Sequence, residues 1–151
     1  MTSLNLRLDA FDNTLFYSTV MENRTKYMVS RPFLLNTAIA ESLCQLYGGY
    51  LVEINDGHEY TVVKRVLEGA KANDDVLVGV TDEFQEGVWR YREHKTQTVT
   101  FLLWDNSKPE PDGGAAENCA TLGADVGWKL QDRKCYDNTA HVRFMCEVEN
   151  A

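Results

Sequence analysis

Apolar positions along this chain fall into two periods, in a fixed order. The first 25 residues follow period two: Leu4, Leu6 and Leu8 alternate with polar side chains, and a β-prone run Leu15–Met21 ends at a turn over Glu22-Asn23-Arg24. A first domain strand is predicted at Lys26–Ser30. The period then becomes helical. Asn36 is positioned to cap a helix Thr37–Tyr47 with Ile39, Leu43 and Tyr47 on one face, and Gly48-Gly49 stops it. Tyr50–Ile54 reads as a strand, and Asp56 caps a second helix, His58–Glu68, whose Tyr60, Val63 and Leu67 form a core stripe. Beyond Leu67 the helical period is gone. Strands are predicted at Val76–Val80, Val88–Arg92, Thr98–Leu103, Cys119–Leu122, Trp128–Gln131 and His141–Glu147. Between Trp104 and Glu117 runs a long loop with Asp105, Pro109, Glu110, Pro111, Asp112 and two glycines, a length that compact domains keep for function. Two helices followed by strands predict an α+β domain over 26–151, preceded by a β-prone extension 1–25.

Composition narrows the classes. At 151 residues and 44% hydrophobic content the chain suits one domain with a core of its own. No apolar run approaches the ~20 residues of a membrane span. Met1–Ala10 lacks the apolar block of a signal peptide, so the expectation for a secreted protein is a mature form with an added Met1. A net charge of −8 disfavours nucleic acid and anionic membrane as partners, both being negative themselves. Four cysteines (Cys44, Cys119, Cys135, Cys146) form no CxxC pair and allow three connectivities. In one of them, Cys119–Cys135 closes a short loop and leaves Cys44 for Cys146, closures worth about 3 and about 4.7 kcal/mol by chain-entropy arithmetic. Bridged cysteines imply an oxidising, extracellular compartment, and the sequon Asn23-Arg24-Thr25 agrees with it. His58, His94 and His141 are scattered without metal-ligand spacing and are expected in surface or helix-start roles. No nucleophile-base arrangement suggests an enzyme.

Several residues in order spell a family. Cys44 ends the first helix, followed by Gly48-Gly49-Tyr50-Leu51-Val52 and a helix bearing Glu59. Then come Val78-Gly79-Val80, Asp82, Glu86-Gly87-Val88-Trp89-Arg90-Tyr91 and Trp104. Glu110-Pro111-Asp112, Glu117-Asn118-Cys119, Asp132-Arg133-Lys134-Cys135 and Phe144-Met145-Cys146-Glu147 complete the set. From Lys26 to Glu147 this resembles the C-type lectin-like domain. The resemblance implies a double-loop α+β fold, disulfides Cys44–Cys146 and Cys119–Cys135, and a ligand site in the long loop.

It also implies a cofactor, Ca2+, and a glycan partner. In sugar-binding members a Glu-Pro-Asn or Gln-Pro-Asp tripeptide, a Glu before the third cysteine and an Asn-Asp pair on the next strand share calcium and sugar contacts. The matching positions here are Glu110, Asp112, Glu117, Gln131 and Asp132, with Gln131 standing where the family has Asn. Hard Ca2+ takes six to eight oxygen ligands, the kind of donor these residues supply. Glu110-Pro111-Asp112 joins the mannose-type half to the galactose-type half, both acceptors when ionised, with Glu110 tilting the expectation toward mannose-type sugars. Asp82, Glu86 and Asn118 match an auxiliary calcium site, although Gly113 stands where a further ligand is usual. Trp89, Tyr91 and Trp104 are read as core, and Trp128 as a candidate ligand contact. The expected protein is a calcium-dependent, non-catalytic lectin in recognition or defence, with the extension 1–25 read either as an element that joins copies into a homo-oligomer or as an extra strand packed on its own domain. The competing expectation is a lectin-like domain that binds a protein or mineral surface.

Overall fold

The computed structural model describes residues 15–106 and 116–150. Strands β1 (Phe16–Glu22) and β2 (Thr25–Ser30) form an antiparallel hairpin. Asn23 and Arg24 fill its two-residue turn at φ 51° and 69°, the left-handed pair whose twist suits a hairpin. β3 (Phe33–Asn36), which the hydrophobic pattern does not predict, leads directly into α1 (Thr37–Leu46). Asn36 caps that helix as expected, its side chain accepting from the Ile39 amide at 3.1 Å. The buried face differs from expectation. It runs through Thr37, Ala40 and Cys44, and Ile39 is 52% exposed. Cys44 must meet Cys146, with Cα atoms 5.3 Å apart, and that tether turns the small-residue stripe inward.

β4 (Tyr50–Leu51) is shorter than its apolar run. α2 (Gly57–Gly69) starts at Asp56, whose carboxylate accepts from the Glu59 amide at 2.8 Å, and buries Val62, Val63, Val66 and Leu67. β5 (Val76–Thr81) is buried at every position, with β9 on one side, β7 on the other and the short β6 (Arg90–Tyr91) at its end. β7 (Cys119–Leu122) falls where predicted. A 3-10 turn over Ala124–Val126 precedes β8 (Leu130–Arg133), and β9 (Tyr136–Glu149) closes the fold.

Two predicted strands are not formed as expected. Thr98–Leu103 has no strand partner along its length; only its end is pinned, Leu103 and Asp105 exchanging backbone hydrogen bonds with Leu130. Trp128 cannot begin a strand because Gly127 and Trp128 hold φ of 67° and 64°. Trp128 is buried, so it belongs to the core and is no ligand contact.

β9 is the spine. The strand path is β1-β2-β9-β5-β7-β8, with β3 and β4 also on β9, and all ladders among the described residues are antiparallel except β5–β9. Successive β9 residues face opposite ways. Phe144 and Cys146 join Met28, Leu35, Cys44 and Leu77 in one cluster, whereas Met145 joins Tyr27, Val29, Val52 and the α2 valines in the other. Cys44–Cys146 ties α1 to the spine, and Cys119–Cys135 ties β7 to its lead-in. Gly79 is obligatory: any Cβ there would strike the Leu51 carbonyl oxygen, so β5 could not lie against β4.

A polar network threads this core. Buried Glu53 accepts from the Glu93 amide at 2.6 Å and meets His94 Nδ1 at 2.6 Å; His94 itself is exposed, as expected, and reaches inward to this one buried partner. The Glu53 amide donates to buried Glu147 at 2.9 Å. Glu59 accepts from Tyr27 Oη at 2.9 Å and from the Asn55 amide at 3.0 Å. Burial raises the Glu53 carboxyl above its usual range, opposed by the His94 contact, and that same contact raises His94. Burial, then the neighbouring Glu59, raises Glu147.

Candidate functional site

The β5-β7-β8 register gathers the site. Thr81 pairs with Cys119 and Cys119 with Arg133, so Asp82, Asn118 and Asp132 come to one end of the three strands. Thr81 Oγ1 donates to the Asn118 carbonyl at 2.6 Å and the Asp82 amide reaches it at 3.3 Å, which fixes the exit of β5 against the entry of β7. Asp82 then organises the following turn: its carbonyl accepts from the Gln85 amide and its Oδ2 from the Gly87 amide, at 3.2 and 3.0 Å.

A cavity of about 350 Å³ opens here, lined by Asp82, Glu86, Asp132, Trp89, Leu102 and Trp104. Asp82 and Asp132 are each only 3% exposed. Asp82 Oδ1 is buried and accepts no hydrogen bond among the described residues, although a buried carboxylate oxygen ordinarily has a partner. Partial desolvation, then the Asp82 carboxylate facing it, then Asp132, raise the Glu86 carboxyl above its usual range. The arginines on adjoining strands are held elsewhere: Arg92 by Glu41 and Glu83, Arg133 by Asp75.

Oxygen donors that include one buried carboxylate oxygen without a hydrogen-bond donor fit a hard divalent cation. Among the described residues no three acidic side chains already converge at ligating distance, so a cation held here would need further oxygens to close its shell. Glu110 and Asp112 lie outside the described residues. Glu117 is half-buried and directly precedes Asn118. Gln131 alternates away from Asp132 along β8: its Nε2 lies 3.5 Å from Asp105 Oδ2 and its Oε1 rests against Gly123.

Three residues of this region were not assigned to the site from sequence. Trp89 and Trp104 pack on the core, as expected, and also wall the cavity, 4.9 Å apart edge to face. Asp105 is buried beneath the start of the long loop, its amide bound to the Leu130 carbonyl at 2.8 Å. The Trp104-Asp105 pair at the mouth of that loop was the available signal. Core and site are shared by one tryptophan pair here, which a sequence pattern does not separate.

With this geometry in view, comparison with known proteins assigns the class. Residues 34–148 match the family described as Lectin C-type domain, and the chain belongs to it. It is accordingly a binding module of a non-enzymatic family. A hemolymph lipopolysaccharide-binding protein of Periplaneta americana is 33% identical over 117 residues, 73% of this chain and 44% of that protein. The chain thus spans less than half of that relative's length. Human lithostathine has the same fold, with TM-score 0.74 and 21% identity over 87% of this chain and 97% of that one. A calcium-independent type II antifreeze protein also shares it, with TM-score 0.68 and 19% identity over 85% of this chain and 89% of that one. Among the described residues no helix is long and apolar enough to cross a membrane.

Proposed function

We propose that this chain is a secreted, calcium-dependent, carbohydrate-binding lectin. The observation that carries the reading is Asp82 Oδ1, a buried carboxylate oxygen without a hydrogen bond, facing Glu86 across a cavity shared with Asp132. The proposed principal ligands are Glu110, Asp112, Glu117, Gln131 and Asp132, with Asp82, Glu86 and Asn118 as the auxiliary set. Bound calcium supplies open coordination positions to two vicinal sugar hydroxyls. Glu110 and Asp112 then act as acceptors for those hydroxyls, a pairing that accepts more than one sugar and leans to the mannose type. Trp89 and Trp104 exclude water from one wall and raise the strength of the charge interactions inside. An open site of this kind binds single sugars weakly, so several copies are the expected working form. Two disulfides and a relative named from hemolymph support secretion; that relative's named ligand, lipopolysaccharide, supports a glycan target in defence.

Retention on mannose and galactose resins, with and without chelator, tests the reading. Retention on at least one resin that is lost with chelator is expected, and retention that survives chelator sinks the calcium mechanism.

One observation favours a second reading, a domain that binds a protein or mineral surface without sugar. The Gln131 carboxamide is turned toward Asp105 and Gly123 and away from Asp132, where the family's sugar binders use a ligand. Absence of retention on both resins, together with calcium binding by titration calorimetry, would select it.

A further inference from the structure

We propose that Asn23 is a site of N-linked glycosylation, the glycan standing at the tip of the β1–β2 hairpin. The proposal rests on passage through the secretory route, which is part of the reading above. Asn23-Arg24-Thr25 is an acceptor sequon, and no other asparagine in the chain has Ser or Thr two residues on. A modified asparagine must leave its glycan room at the surface once the chain has folded, and the fold does so here. Asn23 and Arg24 form the whole of a two-residue turn, both exposed, both at positive φ. Among the described residues the Asn23 carboxamide and the Thr25 hydroxyl make no hydrogen bond, so nothing in the fold competes for either group. An open notch lies beside Asn23, between the hairpin tip and the start of α2 at Asp56 and His58, and leaves room for the first sugars. Met21, two residues before, is 51% exposed and offers the apolar face of the first sugar a seat.

The step is a group transfer without redox change. The donor is a lipid-pyrophosphate-linked oligosaccharide of the secretory route. Asn23 Nδ2 attacks the anomeric carbon of its first N-acetylglucosamine, the new carbon–nitrogen bond replaces the carbon–oxygen bond to pyrophosphate, the lipid pyrophosphate leaves with the electron pair, and Nδ2 gives up one proton. The site is remote in sequence from Asp82, Glu86 and Asp132, and it carries no part of the calcium reading.

The test is a peptide map of the full chain, given a secretion leader, expressed in eukaryotic cells and collected from the medium; translation into microsomes serves if the chain is retained. The Asn23 peptide is expected to carry a glycan, and peptide N-glycosidase F to leave Asp at position 23. Thr25→Ala abolishes the modification and Thr25→Ser keeps it. Resin retention measured on the same protein before and after deglycosylation is expected to be unchanged, which separates this proposal from the lectin reading. Translocated protein with both disulfides formed and an unmodified Asn23 peptide overturns it, whatever the resin result.

Discussion

Two groups of acids, each built on a buried carboxylate, lie in this domain, and they are treated in opposite ways. Around the spine, Glu53, Glu59 and Glu147 meet protein donors: the Glu93, Asn55 and Glu53 amides, Tyr27 Oη and His94 Nδ1. At the far end of β5 and β8, exposed Glu86 faces buried Asp82, one of whose oxygens has no donor among the described residues. Burial of a charge is costly in both places, and only the first group is compensated from within the fold. The difference teaches which acids are structural and which await something from solution. A carboxylate with its donors already in place holds strands together, and one without them fits a cation.

Substitutions should separate the two groups cleanly, and the largest effect belongs to the structural one. Glu53→Ala leaves the Glu93 amide and His94 without their acceptor, and a loss of about 3 kcal/mol is expected in urea unfolding, with calcium affinity in the surviving folded protein unchanged. Asp82→Asn should do the reverse. Calcium affinity by calorimetry falls by at least about tenfold, or 1.4 kcal/mol, while metal-free stability holds or rises as the facing charges are relieved. A calcium affinity that survives Asp82→Asn would erase the distinction.

Acidity sharpens the same contrast, since metal-free stability and calcium affinity respond to protons with opposite sign. Glu53, His94 and Glu147 all have folded pKa values raised above their unfolded ones, so the folded state holds the extra protons. The stability they contribute is present below the ordinary Glu and His values and is lost as pH rises through the raised ones. In chelator, the melting temperature should therefore be higher at about pH 6 than at about pH 8. Calcium ligation needs ionised carboxylates, so calcium affinity should fall over the same acidification. Parallel slopes for the two quantities would contradict the assignment. The smallest effect concerns Gln131. Because its carboxamide lies on Asp105 and Gly123, Gln131→Ala should lower calcium affinity less than Asp132→Ala does in the same titration. Equal losses would return Gln131 to full ligand status.

Much of this was legible along the chain where the physics is local. Asn36 and Asp56 cap because a short side-chain acceptor sits three residues before an amide in need, which depends only on neighbours. The hairpin turn at Asn23-Arg24 and the core stripe of α2 follow from equally short-range rules. Periodicity failed where a distant partner decides. Ile39 fits the apolar face of an isolated helix, but the Cys146 tether turns it to solvent. Thr98–Leu103 has the composition of a strand, yet among the described residues only its end meets one, Leu103 at Leu130. His94 looked isolated because its partner, Glu53, lies 41 residues earlier.

What the sequence determined alone is the kind of object: a disulfide-tied α+β domain of the C-type lectin family, with its acids at recognisable intervals. Order of residue types suffices for that, because caps, turns and cysteine positions are written locally. The tertiary structure alone decided which acids are paired. Glu53 and Asp82 are both buried carboxylates near a turn; the family pattern marks Asp82 in the chain, but whether either has its donors is not written there. Only the packing of β5, β7 and β8 leaves Asp82 with an oxygen that no amide reaches, while β9 and the Glu93-His94 backbone close around Glu53.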